Sequence, residues 1–242
     1  MSGPLVLFTD YGLDGPWVGL LHAVIRQARP GAGIIDLQHD LPPFDRVAPV
    51  SCSPLCAAGC RWVPRGATVV AVVDPGVGTA RGGLLVECDD LRLIGPDNGL
   101  FAPFFAGALR IRRIDWMPGD IPATFHGRDW FVPAALRLLS GEALETTELR
   151  PADCVGHDWS GRLDEIVYID RFGNLVTGIP APLAPDGGPW CLAGHELPHA
   201  RTFAEVSPGT AFWHLNALGL VEIAVNLGSA AEQLGLRVGD PL

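Results

Sequence analysis

The sequence predicts an α/β fold: an N-terminal mainly parallel sheet flanked by helices, followed by a smaller C-terminal mostly antiparallel β-domain. Three features of the chain predict it. Short β-branched apolar runs alternate with helix-length amphipathic stretches through residues 1–150, at the spacing of βαβ units. Those runs are continuous rather than alternating, as strands covered on both faces are. Beyond residues 151–162, a polar stretch with Pro and Gly and no apolar period, short strands separated by turns fill residues 163–242.

Taken in order, "LVLFTD" is the first strand, and "WVGLLHAVIRQAR" is an amphipathic helix ended by Pro30. "GIIDLQHD" is the second strand, with a helix expected over Ser51 to Cys60. "ATVVAVVD" reads as a third, doubly covered strand that Pro75 and Gly76 stop, leaving Asp74 at its end. "GGLLVECDDLRLIG" is two strands meeting at the polar turn of Asp89 and Asp90. "LFAPFFAG" is a short helix, and "DWFVPAALRLLSG" a longer one closed by Gly141. Downstream, "EIVYIDRFGNLVTGI", "PWCLAGHEL" and "TAFWHLNALGLVEIAVN" are strand segments, and "SAAEQLGL" carries the one helix signal.

The 242 residues carry a net charge of −10 and no Lys/Arg-rich segment. Phosphate neutralisation needs clustered cations, so neither a nucleic-acid partner nor an anionic membrane surface is expected. Mean hydropathy is high at +0.25, yet no apolar run approaches the ~20 residues that cross a bilayer. "MSGPLVLFTD" lacks a basic region and a cleavage site, so a cytoplasmic location is expected. Cys52, Cys56 and Cys60 recur every four residues and would share one helix face. A metal there would need His39 as partner; small buried residues at a helix–sheet contact are the expected account.

In an open parallel sheet, ligands bind beyond the carboxyl ends of the strands. The first strand delivers Asp10 there, and the second His39, Asp40, Phe44 and Asp45. Asp74 follows the third strand, with Arg81 seven residues on. Asp97 and Asn98 lie in "IGPDNGLF"; His126, Arg128 and Asp129 lie in "FHGRDWF". Each alone has an ordinary account as turn, cap or core residue. Together they suggest an acidic pocket. "GVGTARGG" fits neither a dinucleotide fingerprint nor a P-loop. Carboxylates accept from ribose hydroxyls and favour a cation, while Tyr11, Trp17, Phe44 and Phe172 could stack on a base. The residues by themselves indicate a polar, nucleoside-like ligand and stop there.

Seven segments, "FTDYG..GPWVG", "IIDLQHDLPPFD", "VAVVDPGVGTAR", "LIGPDNGLF", "FHGRDWFVPAA", "YIDRFGNLVTGI" and "LGLVEIAVNLGSAAEQLGL", together resemble the S-adenosylmethionine hydroxide adenosyltransferases, relatives of fluorinase and chlorinase. The resemblance implies hydrolysis of S-adenosyl-L-methionine to adenosine and L-methionine by water attacking C5′. It puts the family's water-handling trio on Asp74, Arg81 and His126. The ribose-binding acid falls on Asp10, the aromatic near adenine on Phe44, and the methionine-binding segment on Asp170, Phe172 and Asn174. It further implies a homotrimer with the site between subunits, a small-molecule substrate, no cofactor and no metal. The chain departs from the family pattern at Gly15, where an acid is usual, and at Trp17, where Tyr is usual; Asn216 to Gly219 match the adenine-facing segment loosely.

The sulfonium is already a good leaving group, so the expected task of the protein is to hold water in line with the C5′–S bond. Asp74 would accept a hydrogen bond from that water and take its proton, with Arg81 holding Asp74 and His126 completing the orientation. A halogenase is the nearest alternative; the trio argues against it, since Asp74 would repel a halide and the family's halogenases lack these residues. A non-catalytic nucleoside-binding module and a metal-dependent phosphohydrolase using Asp10, Asp74 and His126 are the others.

Overall fold

The computed structural model describes residues 3–42, 49–192 and 194–242. Seven strands form the large sheet: β1 (Leu5–Thr9), β2 (Ile34–Gln38), β3 (Ala67–Val72), β4 (Gly83–Glu87), β5 (Leu91–Pro96), β6 (Arg110–Ile114) and β7 (Thr146–Leu149), in the order β2-β1-β3-β5-β4-β6-β7. β1, β2, β3 and β5 pair in parallel; β4 and β7 run against their neighbours. The mainly parallel sheet expected from sequence is therefore present.

β1 shows why a continuous apolar run is needed. Leu5 and Leu7 pack with Leu21 and Ile25 of helix α1 (Trp17–Ala28) and with α3 (Val132–Leu139). Val6 and Phe8 face the opposite layer, with Leu55 and Cys56 of helix α2 (Pro49–Cys60). Successive side chains of a strand point to opposite faces, so a strand covered twice is apolar at nearly every position. β3 divides in the same way, with Val69 and Ala71 on the α2 face and Val70 and Val72 on the other.

α2 is buried on nearly every side, as a helix apolar all round must be. Pro54 sits inside it and cannot donate to the carbonyl of Val50, four residues back. The Ser53 hydroxyl donates to that oxygen instead, at 2.6 Å. Cys52, Cys56 and Cys60 join the core between α2 and the sheet. Burial pushes the Cys52 thiol up to about 12, far from the thiolate a metal ligand requires.

The C-terminal part is a four-stranded antiparallel sheet, β12-β13-β9-β8, beside the small β10-β11 pair. Its strands are β8 (Leu163–Ile169), β9 (Leu175–Pro180), β10 (Trp190–Leu192), β11 (His195–Leu197), β12 (Ala211–Leu215) and β13 (Leu220–Val225), and helix α4 (Ala230–Leu234) follows β13. Val167, Val176 and Leu220 of this sheet belong to the same core as α2 and β1. The connection between the two sheets is packed rather than loose. Cys154 is buried in that core, and the Val155 N–H donates to Asp97 Oδ1 at 2.9 Å.

Two strands, β6 and β7, have no counterpart in the sequence reading. "LFAPFFAG" forms a 3-10 turn, Ala102–Gly107, and the long helix splits into a widened turn, Gly127–Phe131, followed by α3. In that turn the Val132 N–H reaches back five residues to Gly127 O, directly before Pro133, which has no N–H to continue an ordinary ladder. Among the described residues no helix is long and apolar enough to cross a membrane.

Candidate active site

The register of β1 and β3 sets Thr9 beside Val72. Residues just past these two ends must therefore be neighbours, and they include Asp10 and Asp74. Both line a cleft of about 440 Å³ at the carboxyl edge of the sheet, together with Tyr11, Trp17, Phe125 and His126.

Asp74 is held by the loop that follows it. Its carbonyl accepts from the Val77 N–H at 3.2 Å, and the Thr79 hydroxyl closes on Gly76 O at 2.7 Å. Gly78, at φ +79°, turns the chain back in a conformation open to glycine. Arg81 thereby returns to Asp74: Nε donates to Oδ1 at 2.9 Å and Nη2 to Oδ2. The same Nη2 lies 2.9 Å from His126 Nδ1. The guanidinium rests over Trp130 and Phe131, 5.4 and 5.1 Å from the ring centres.

This contact fixes the state of His126. A guanidinium can only donate, so Nδ1 accepts and the ring proton sits on Nε2. Burial and the neighbouring Arg81 charge both hold the His126 pKa below its ordinary value, which keeps the ring neutral. The cleft thus presents a carboxylate that accepts and an imidazole N–H that donates, tied together by one arginine.

Asp10 differs. Burial, reinforced by the charge of Asp74, raises its pKa to about 6, against the lowering effect of a backbone hydrogen bond. Burial and then the two carboxylates also push the Tyr11 phenol well above its usual range, so it stays protonated. Tyr11 packs edge-on to Phe125 with centres 5.4 Å apart, and Trp17 does so at 5.5 Å. A Cβ on residue 127 would run into Tyr11 Oη, so only glycine lets the widened turn approach the cleft.

The other strand-end residues do not join them. Asp97 accepts from Val155, and Asn98 donates to Val73 O at 2.8 Å, pinning the end of β3. Asp129 forms a two-pronged pair with Arg128 at 2.6 and 2.7 Å. Asp40 accepts from the Tyr168 hydroxyl at 2.7 Å. His39 is buried behind the cleft against Thr9 and Asp36. Phe44 and Asp45 lie outside the described residues. Among the described residues, the acidic edge read from sequence thus reduces to two carboxylates in the cleft. The reading also passed over Phe125, Thr124 and Gly127 as cleft residues; the glycine beside His126 was the available signal of a close approach.

Two family models match the chain: the SAM hydroxide adenosyltransferase N-terminal domain over residues 5–148, and the C-terminal domain of the same family over residues 164–242. The chain belongs to the SAM hydroxide adenosyltransferase family. It is 39% identical to the (R)-S-adenosyl-L-methionine hydrolase of Thermus thermophilus over 99% of this chain and 98% of that protein. Identity is 37% to the protein of the same name from Salinispora tropica, over 99% and 97%. An uncharacterized conserved protein of Thermotoga maritima superposes with a TM-score of 0.80 at 28% identity, covering 98% of this chain and 97% of that one.

In this SAM hydroxide adenosyltransferase, Asp170, Phe172 and Asn174 occupy the β8–β9 turn. Asp170 Oδ1 accepts from the Phe172 and Asn174 backbone N–H groups, both at 2.9 Å, and Oδ2 accepts from the Asn174 side-chain amide at 2.9 Å. Phe172 is 77% exposed. The three line a groove with Phe203 and Leu227 that shares no lining residue with the Asp74 cleft. Within one chain, then, Asp74, Arg81 and His126 converge, and the turn that the resemblance assigns to methionine stands apart from them. Among the described residues no group of three or more His, Cys, Asp or Glu side chains is placed to hold a metal.

Proposed function

We propose that this protein hydrolyses S-adenosyl-L-methionine to adenosine and L-methionine. The observation that carries this is the Asp74–Arg81–His126 cluster, an acceptor and a donor tied by one guanidinium beside Asp10, in a chain whose relatives are named (R)-S-adenosyl-L-methionine hydrolase. Water donates to Asp74 and accepts from His126 Nε2–H, which leaves its second lone pair aimed at C5′. As the O–C5′ bond forms, the C5′–S bond breaks and its electron pair returns to sulfur, giving neutral methionine. The proton leaves with Asp74. Positive charge moves from sulfur to the attacking oxygen, so a carboxylate beside that oxygen stabilises the transition state more than the bound substrate.

Asp10 receives the ribose hydroxyls, and the Tyr11, Trp17 and Phe125 rings bound the nucleoside. The Asp170–Asn174 turn of a neighbouring copy supplies the methionine half of the site in a homotrimer, which would account for an exposed Phe172 over a groove. The reaction needs no cofactor or metal. Six free cysteines support a reducing, cytoplasmic setting.

The test is chromatography of both sulfonium epimers incubated with the protein, without metal, with and without chloride. Adenosine and methionine in equal amounts from the R epimer, indifferent to chloride, are expected. A 5′-chloro nucleoside would make the protein a halogenase. Adenosine held without turnover would make it a binding module.

A further inference from the structure

We propose that His39, which does not line the cleft, is the positioning residue for the turn that carries Asp10 and Tyr11. This rests on the reading that Asp10 receives ribose hydroxyls.

His39 follows β2, and its side chain is 2% exposed. Nε2 lies 3.0 Å from Asp36 Oδ1, and Nδ1 lies 2.7 Å from Thr9 Oγ1. A carboxylate only accepts, so in the neutral ring the proton sits on Nε2 and Nδ1 is the acceptor. The Thr9 hydroxyl must then donate to Nδ1, leaving its oxygen to accept from the Tyr11 N–H, 3.3 Å away. The backbone of the same histidine acts on the far side of the turn, where the Gly12 N–H donates to His39 O at 2.7 Å. One residue thus brackets Asp10 and Tyr11, through its ring before them and its carbonyl after them.

The network reaches further. Asp36 Oδ1 also lies 2.9 Å from His22 Nε2 on α1, the helix that begins with the cleft residue Trp17. Asp36 therefore orients the imidazole and ties it to the helix forming the cleft rim. A ring locked at both nitrogens has one orientation, and a turn hung from it has one placement of its carboxylate.

The test compares His39→Gln with His39→Asn. Glutamine can reach Asp36 but offers nothing at the Nδ1 position, whereas asparagine can accept from Thr9 there. His39→Gln is expected to raise KM for S-adenosyl-L-methionine and Kd for adenosine about tenfold, the cost of one hydrogen-bonded placement, with kcat within about twofold. His39→Asn is expected to recover most of that affinity. The loss should vanish with 2′,3′-dideoxyadenosine, which has no hydroxyls for Asp10. Asp36→Ala, at the more exposed end of the network, should show the same pattern if His39→Gln folds poorly. Unchanged adenosine affinity in folded His39→Gln and Asp36→Ala, beside a wild type that binds and turns over, overturns the inference alone. So does an equal loss for both nucleosides. A wild type that neither binds adenosine nor consumes substrate removes the functional reading as well.

Discussion

Arg81 uses Nε, Nη1 and Nη2 to hold Asp74, the Gly82 carbonyl and His126, with its face on two aromatic rings. It can neither take a proton nor swing away, so the chemistry falls to the groups it holds. Asp74→Asn keeps the volume but removes the proton acceptor, and kcat should fall about 10²- to 10⁴-fold with KM changed little. Single-turnover kinetics checks this, and a kcat within threefold of wild type would remove Asp74 from the chemistry. Asp10 is held in the fold at a cost. Its pKa is about 6 in the folded protein against 3.8 ordinarily, so the protonated form favours folding. The stability this contributes is full below pH 3.8 and is lost as pH rises through about 6. Asp10→Asn should therefore stabilise the ligand-free protein at pH 7 by roughly 1–2 kcal/mol, allowing for partial exposure. The gain should disappear near pH 4 in denaturant titrations, and nucleoside affinity should fall. A variant less stable than wild type at pH 7 would contradict this.

Helix α2 shows chain chemistry met by local repair. Pro54 would leave the Val50 carbonyl unpaired inside a buried helix, and Ser53 supplies the donor. Ser53→Ala should cost about 1–3 kcal/mol. Adding Pro54→Ala, which restores an N–H, should recover part of it; chemical denaturation of the two variants decides, and no recovery would refute the pairing. Which elements could be read from sequence follows from burial. β1 and β3 are covered on both faces, so the apolar runs were unambiguous. β6, "RIRRI", can carry three arginines in five residues because Arg112 pairs with Glu87 of β4 at 2.7 Å and Arg113 reaches Asp115. β7, "TTEL", is the sheet edge with little to bury. Ion-paired arginines and an open edge leave no hydrophobic period to detect.

Over the whole molecule, the candidate site was legible to the extent that it is local to the sheet edge. Asp10 and Asp74 meet because the parallel strands β1 and β3 end together, Arg81 returns to Asp74 through the loop turned at Gly78, and His126 comes in at the head of the widened turn. Asp97 and Asp129 look the same in sequence, but Asp97 is engaged by Val155, a partner 58 residues away, and Asp129 by its own neighbour Arg128. The groove of Asp170, Phe172 and Asn174 lies apart from the cleft, and a trimer would bring one copy's groove to another's cleft. Asp74→Ala and Phe172→Ala proteins should each be weakly active. Co-assembled, they should recover up to about a quarter of wild-type activity, since random mixing leaves that share of inter-subunit sites intact. No recovery in verified mixed oligomers would mean that each chain builds its site alone.

α2 touches the core of both sheets, and Val167, Val176 and Leu220 share that core with β1. A hinge between the sheets would have to pull apart a close-packed interior. Opening and closing for substrate and products is then left to the cleft rim, where Trp17 is half exposed. The slow step of turnover, where release limits it, should respond to changes at that rim, while substitutions at the α2 contact should alter the melting temperature and leave the release rate as it was.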